Sequence, residues 1–108
     1  MKTNLDSQTG VLSVSIQCDL TSTTAEQLRP EFNAVLKQPA TPENDWKQFR
    51  LELPATKMVD SVGLNLIISL LKLVQQRGAK MQILCANPNV HRTFLFTRLD
   101  KHVEIIKT

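Results

Sequence analysis

At 108 residues the chain has the length of one domain, enough to close a single hydrophobic core without metal or disulfide support. Apolar residues make up 42% and charged residues 21%, the balance of an ordinary globular protein and not of a disordered one. The net charge of +3 comes from lysines and arginines scattered between Lys2 and Lys107, without the clustering and exposed aromatics of a nucleic-acid binder, so no direct nucleic-acid contact is expected.

The longest apolar stretch, Leu64 to Val74, is broken by Asn65, Ser69 and Lys72 and falls short of the roughly 20 residues that cross a bilayer. The N-terminus, Met1 to Asp6, is polar and lacks the apolar core of a secretory signal. A cytoplasmic protein without membrane attachment is the expectation. Cys18 and Cys85 sit far apart in apolar runs with no His or Cys at ligand spacing, so both are expected to be buried thiols, with no metal site and no cofactor.

In chain order, Gly10 to Leu20 alternates apolar Leu12, Val14, Ile16, Cys18 and Leu20 with polar residues, the period of a half-buried strand. Thr23 and Glu26 then have capping-box spacing, and Leu28, Phe32, Val35 and Leu36 follow at helical intervals. Pro30 interrupts that helix, which either kinks there or begins properly only at the proline. Gln38 to Asp45, with Pro39, Pro42, Asn44 and Asp45, reads as an exposed loop.

Phe49, Leu51 and Leu53 alternate with Arg50 and Glu52 and predict a second strand ended by Pro54. After Met58 and Val59, Asp60-Ser61 opens a strongly apolar helix to Gln76, with Gly78 as its C-terminal cap. Met81 to Ala86 predicts a third strand. Asn87 as N-cap and Pro88 at the first helical position start a third helix carrying Val90, Phe94, Leu95 and Leu99. Val103, Ile105 and Ile106 make a last strand. Strands alternating with helices predict one α/β domain over residues 1–108, a sheet of four strands or slightly more, mostly parallel, with helices packed on it.

The segment from Val59 to Leu64 places the Ser61 hydroxyl at a helix start, where unpaired N–H groups and a partial positive charge stabilise an anion such as a phosphoryl group. Two readings stand: Ser61 as phosphate carrier, or Asp60 or Ser61 as a plain helix cap. On the helix, Leu64, Ile67, Ile68, Leu71 and Val74 form one face at about 100° per residue, and Leu66, Leu70 and Leu73 extend it. The surplus leucines are either buried by a neighbouring helix or left for a partner.

Val59-Asp60-Ser61-Val62-Gly63-Leu64, preceded by Leu51-Glu52-Leu53 and followed by a leucine-rich helix ending in Arg77-Gly78, resembles the signature region of STAS-domain anti-sigma factor antagonists. Glu52 and Asp60 have the family's spacing of acidic residue and Asp-Ser-x-Gly, and the likeness extends to Asp19-Leu20, Asn87-Pro88, Phe94 and Leu99. The chain departs from the family's pattern at Ile16 and Arg98, where Gly is usual, and at Val62, often a second serine. Many members also add a helix after the position of Thr108; without it, a less covered sheet and weak self-association are expected.

The resemblance implies a bacterial protein-binding switch that is not an enzyme. Unphosphorylated, it binds an anti-sigma factor that is also a serine kinase and so releases a sigma factor; phosphorylation of Ser61 turns binding off, and a phosphatase restores it. The implied contact surface comprises Asp19, Asp60, Ser61, Val62, Gly63, Asn65 and Leu66, with Gly63 permitting close approach. A STAS subunit of a lipid-transport or larger signalling complex is the alternative. A serine hydrolase fits less well: Val59 stands where the nucleophile elbow needs glycine, and His91 and His102 read as solvated.

Overall fold

The computed structural model describes residues 1–39, 41–42 and 44–108; Ala40 and Glu43, within the stretch expected to be a loop, lie outside the described residues. Strands β1 (Lys2–Asp6), β2 (Val11–Ser15), β3 (Gln48–Leu53), β4 (Lys80–Cys85) and β5 (Glu104–Lys107) form one sheet in that order. β1 is antiparallel to β2, and every other pair is parallel. Helices α1 (Ser22–Leu36), α2 (Ser61–Gln76) and α3 (Pro88–Phe96) each connect one parallel strand to the next. All three crossovers step in the same direction, so the right-handed rule places the helices on a single face of the sheet.

That one-sided cover explains the alternation in the strands. Parallel strands buried on both faces read as unbroken apolar runs. Here Leu12, Val14, Phe49, Leu51, Leu53, Met81, Ile83 and Cys85 form the core beneath the helices, while the residues between them face away from it. In register across that opposite face, Arg50 Nε donates to Gln82 Oε1 at 2.8 Å, and Gln82 Nε2 donates to Glu104 Oε1 at 3.0 Å. The ladder satisfies Gln82, which is buried despite being polar.

β1 had no sequence signature, because of its five residues only Leu5 is even partly buried. Its place is set by backbone pairing to β2 and by the turn between them. Gln8 N and Thr9 N donate to Asp6 Oδ1 at 3.0 and 3.3 Å, and Gly10 closes the turn at φ 71°. The N–H groups of Thr9 and then Gln8 hold the Asp6 carboxyl below the usual carboxylate range.

The structure corrects several expectations in the helices and in the first strand. The N-cap of α1 is Thr21, not Thr23, and Thr21 N donates to Thr24 Oγ1 at 2.9 Å. α1 runs unbroken through Pro30, whose ring lies at the exposed side, so the helix loses one hydrogen bond without ending. The first strand stops at Ser15, and Cys18 beyond it is half-buried while Cys85 is buried. On α2 the buried residues are Gly63, Leu66, Ile67, Leu70, Leu71 and Val74, whereas Leu64 and Ile68 are only half-buried. The core-facing stripe is thus rotated from the one expected. α1 lies alongside α2, where Arg29 Nη1 reaches Ser69 Oγ at 3.4 Å.

At the far end of α2, Arg77 clasps the preceding loop. Its guanidinium lies 4.1 Å from the centroid of the buried Trp46 ring, and its Nη1 and Nη2 donate to the carbonyls of Gln38, at 2.8 Å, and Asn44. α3 starts as expected, with Asn87 Oδ1 accepting from Asn89 N at 2.8 Å and Val90 N at 3.2 Å. It ends at Phe96, and Leu99 is buried from a separate 3-10 turn, Leu99–Lys101.

Candidate functional site

The candidate site forms where the segments leaving β2 and β3 are zipped together. Leu20 N donates to Met58 O at 2.9 Å and Asp60 N to Leu20 O at 3.0 Å, making a parallel bridge between Leu20 and Val59. Asp19 Oδ1 accepts from Lys57 N at 2.7 Å and Met58 N at 3.3 Å, and the buried Thr56 donates through Oγ1 to Cys18 O at 2.7 Å. These bonds fix the direction in which α2 leaves the sheet.

Asp60 is the N-cap of α2. Its Oδ1 accepts from Gly63 N at 2.8 Å and its Oδ2 from Ser22 N, the first residue of α1, at 2.9 Å. The capping role therefore belongs to Asp60, and Ser61 next to it is exposed as the first residue of α2. The hydroxyl stands at the positive end of a sixteen-residue helix.

Gly63 is needed for packing inside the domain. A Cβ there would overlap the carbonyl oxygen of Leu20 and lie 2.7 and 2.8 Å from the Leu20 carbonyl carbon and Cβ. Only a bare Cα lets the first turn of α2 approach the Leu20 backbone this closely.

Asp19, Asp60, Ser61, Val62, Gly63 and Asn65 come together at this end of the molecule, but they differ in access. Ser61 and Asn65 are exposed; Asp19, Asp60 and Val62 are half-buried; Gly63 is buried. Leu66 is 1% exposed and faces the core, so it supports the surface from beneath without forming part of it. Leu64 and Ile68, both half-buried, follow Ser61 at helical spacing on the outward side, and Met58 in the adjoining segment is 57% exposed. Both positions belong to the apolar face that the sequence predicts, and Leu64 does pack against the core along one edge. The signal that sets them apart is their register with the exposed Ser61, against that of Gly63 and Ile67.

Ser61 offers an exposed hydroxyl beside the Asp60 cap. The neighbouring carboxylate is committed to two backbone N–H groups, and the two histidines lie in other elements, His91 on α3 and His102 after the 3-10 turn. Among the described residues no group of three or more His, Cys, Asp or Glu side chains could hold a metal ion. No helix among them is long and apolar enough to cross a membrane.

Sequential strand order, helices on one face and an exposed serine opening the central helix define a small, mostly parallel α/β domain. The chain belongs to the STAS domain family, whose pattern it matches over residues 2–108. It is 26% identical over 105 residues to the anti-sigma F factor antagonist of Paenibacillus polymyxa, covering 97% of this chain and 86% of that one. The crystal structure of a Thermotoga maritima protein assigned to the anti-sigma factor antagonists superposes with a TM-score of 0.81 at 20% identity, over 99% of this chain and 86% of that one. The Bacillus cell fate determinant SpoIIAA in its phosphorylated form gives a TM-score of 0.64 at 13% identity, over 98% of this chain and 92% of its own.

Proposed function

We propose that this protein is an anti-sigma factor antagonist that docks on its anti-sigma factor through the surface around Ser61, and that phosphorylation of Ser61 by that partner, a serine kinase, switches docking off. A serine phosphatase resets the switch, and the domain is substrate and ligand, not catalyst. The observation that carries this reading is the placement of the exposed Ser61 hydroxyl in line with the half-buried Leu64 and Ile68, with the capping duty assigned to Asp60. The similarity to the Paenibacillus polymyxa antagonist supports it.

Physically, a phosphoryl group brings about 1.5 to 2 negative charges and three acceptor oxygens. The Asp60 carboxylate already occupies Gly63 N and Ser22 N, so the added charge faces an existing one and borders apolar surface. Docking would have to desolvate it, which opposes association without unfolding the domain.

The experiment is a titration of the anti-sigma factor with wild type, Ser61→Ala, Ser61→Glu and the phosphorylated protein, with folding verified by circular dichroism. Ser61→Ala should bind within a few-fold of wild type, while the glutamate variant and phosphoprotein lose about tenfold or more, or 1.4 kcal/mol. Ile68→Asp, at a half-buried position on the outward side of α2, should also abolish binding in a protein that circular dichroism shows to be folded. Equal affinity for the four Ser61 species would reject the switch. Loss of nothing in Ile68→Asp would place the contact elsewhere.

A further inference from the structure

The outer side of α3 carries a feature that the Ser61 switch leaves unused. Phe96, the last residue of the helix, is 88% exposed, and Leu95 beside it is 44% exposed. α2 and α3 both follow parallel strands and run in the same direction, so Ser61 at the start of one and Phe96 at the end of the other lie at opposite ends of the helical layer.

Two exposed arginines lie close to Phe96 in the chain, four residues before it and two after. Arg92 lies one turn before it, and a shallow cleft of about 180 Å³ is lined by Arg92, Thr93, Phe96 and Thr97. The threonine hydroxyls are spent on the helix itself, Thr93 Oγ1 donating to Asn89 O and Thr97 Oγ1 to Thr93 O, so they add little free polarity to the cleft. Between Ala86 and Leu99 the chain has no Asp or Glu, and among the described residues neither Arg92 nor Arg98 has a carboxylate within 4.0 Å.

Arg98 supplies an independent observation. Its backbone sits at φ 61°, ψ 25°, the left-handed conformation that glycine adopts freely and a residue with a Cβ adopts at a cost. Arginine at this position bears strain that glycine would remove, while placing a guanidinium two residues from Phe96.

We infer that this patch docks a protein segment in which an apolar side chain is flanked by carboxylates. The apolar side chain enters the cleft against Phe96, and Arg92 and Arg98 pair with the carboxylates on either side through charge-assisted hydrogen bonds. Aromatic and arginine side chains are the types that dominate protein contacts of this kind. Anionic membrane binding calls for clusters of about four to eight basic residues, more than this patch holds.

The test titrates the isotopically labelled full chain with a synthetic capped peptide of sequence Asp-Glu-Leu-Trp-Glu-Asp, following backbone amide shifts by nuclear magnetic resonance. Saturable shifts should concentrate at residues 91–98. Phe96→Ser should weaken binding by about tenfold, and Arg98→Gly by a few-fold. Both are surface changes, and their folding is checked by thermal melting. A peptide with lysines in place of its acidic residues should not bind. Absence of saturable shifts, shifts centred elsewhere, or affinity unchanged in Phe96→Ser would overturn the inference. So would Phe96-dependent sedimentation with phosphatidylglycerol vesicles in the absence of peptide binding. Neither result depends on the outcome for Ser61.

Discussion

The two oxygens of Asp60 hold the first turns of two different helices, Gly63 N of α2 at 2.8 Å and Ser22 N of α1 at 2.9 Å. Removing this carboxylate leaves an orphan donor at each helix start. Asp60→Ala should therefore destabilise the domain by about 2 kcal/mol, twice the usual value of one cap, in urea unfolding monitored by circular dichroism. Asp60→Asn retains one acceptor oxygen and should lose less. Ser61→Ala, at a position that does not cap, should shift stability by no more than about 0.5 kcal/mol.

Gly63→Ala is expected to be far more damaging than its single methyl suggests. The new Cβ meets the Leu20 backbone, which is itself bonded to Met58 and Asp60 and cannot withdraw without breaking the bridge at Val59. A loss of about 3 kcal/mol is expected, with α2 displaced at its first turn. Loss under about 0.5 kcal/mol in a urea titration would show that the Leu20 segment yields readily.

Arg98→Gly should move stability in the opposite direction. The left-handed backbone at the end of α3 suits glycine, so the substitution should raise unfolding free energy by about 1 kcal/mol, less the entropy that glycine adds to the unfolded chain. Differential scanning calorimetry would register it as a higher melting temperature.

The two thiols should differ in reactivity. Burial pushes the Cys85 thiol above its ordinary value, and Lys107 offsets this only in part. Because the folded-state value is the higher one, the unfolded chain gives up the proton first. The stabilisation is complete below the unfolded thiol's pKa and is lost as pH rises through the folded value. Near pH 8, iodoacetamide should modify half-buried Cys18 first, and Cys85 only as the domain opens. Mass spectrometry of a timed reaction distinguishes the two.

The sequence by itself determined the alternation of strands and helices, because Leu12 and Val14, Phe49 to Leu53, and Met81 to Cys85 keep a period that local chain geometry alone enforces. It also placed a serine at a helix start, since the run after Asp60 has the caps and apolar spacing of a helix. Tertiary structure decided what depends on neighbours distant in the chain. β1 exists through pairing with β2 and not through its own pattern. Asp60, and not Ser61, is the cap through Gly63 N, and only the tertiary structure brings the same carboxylate to Ser22, 38 residues away. The division of the leucine-rich helix into a buried side, with Leu66 and Leu70, and an outward side, with Leu64 and Ile68, followed from how α1 and the sheet cover it. A helical wheel sets the angles between side chains, whereas the rotation of that wheel is fixed only by what packs against it.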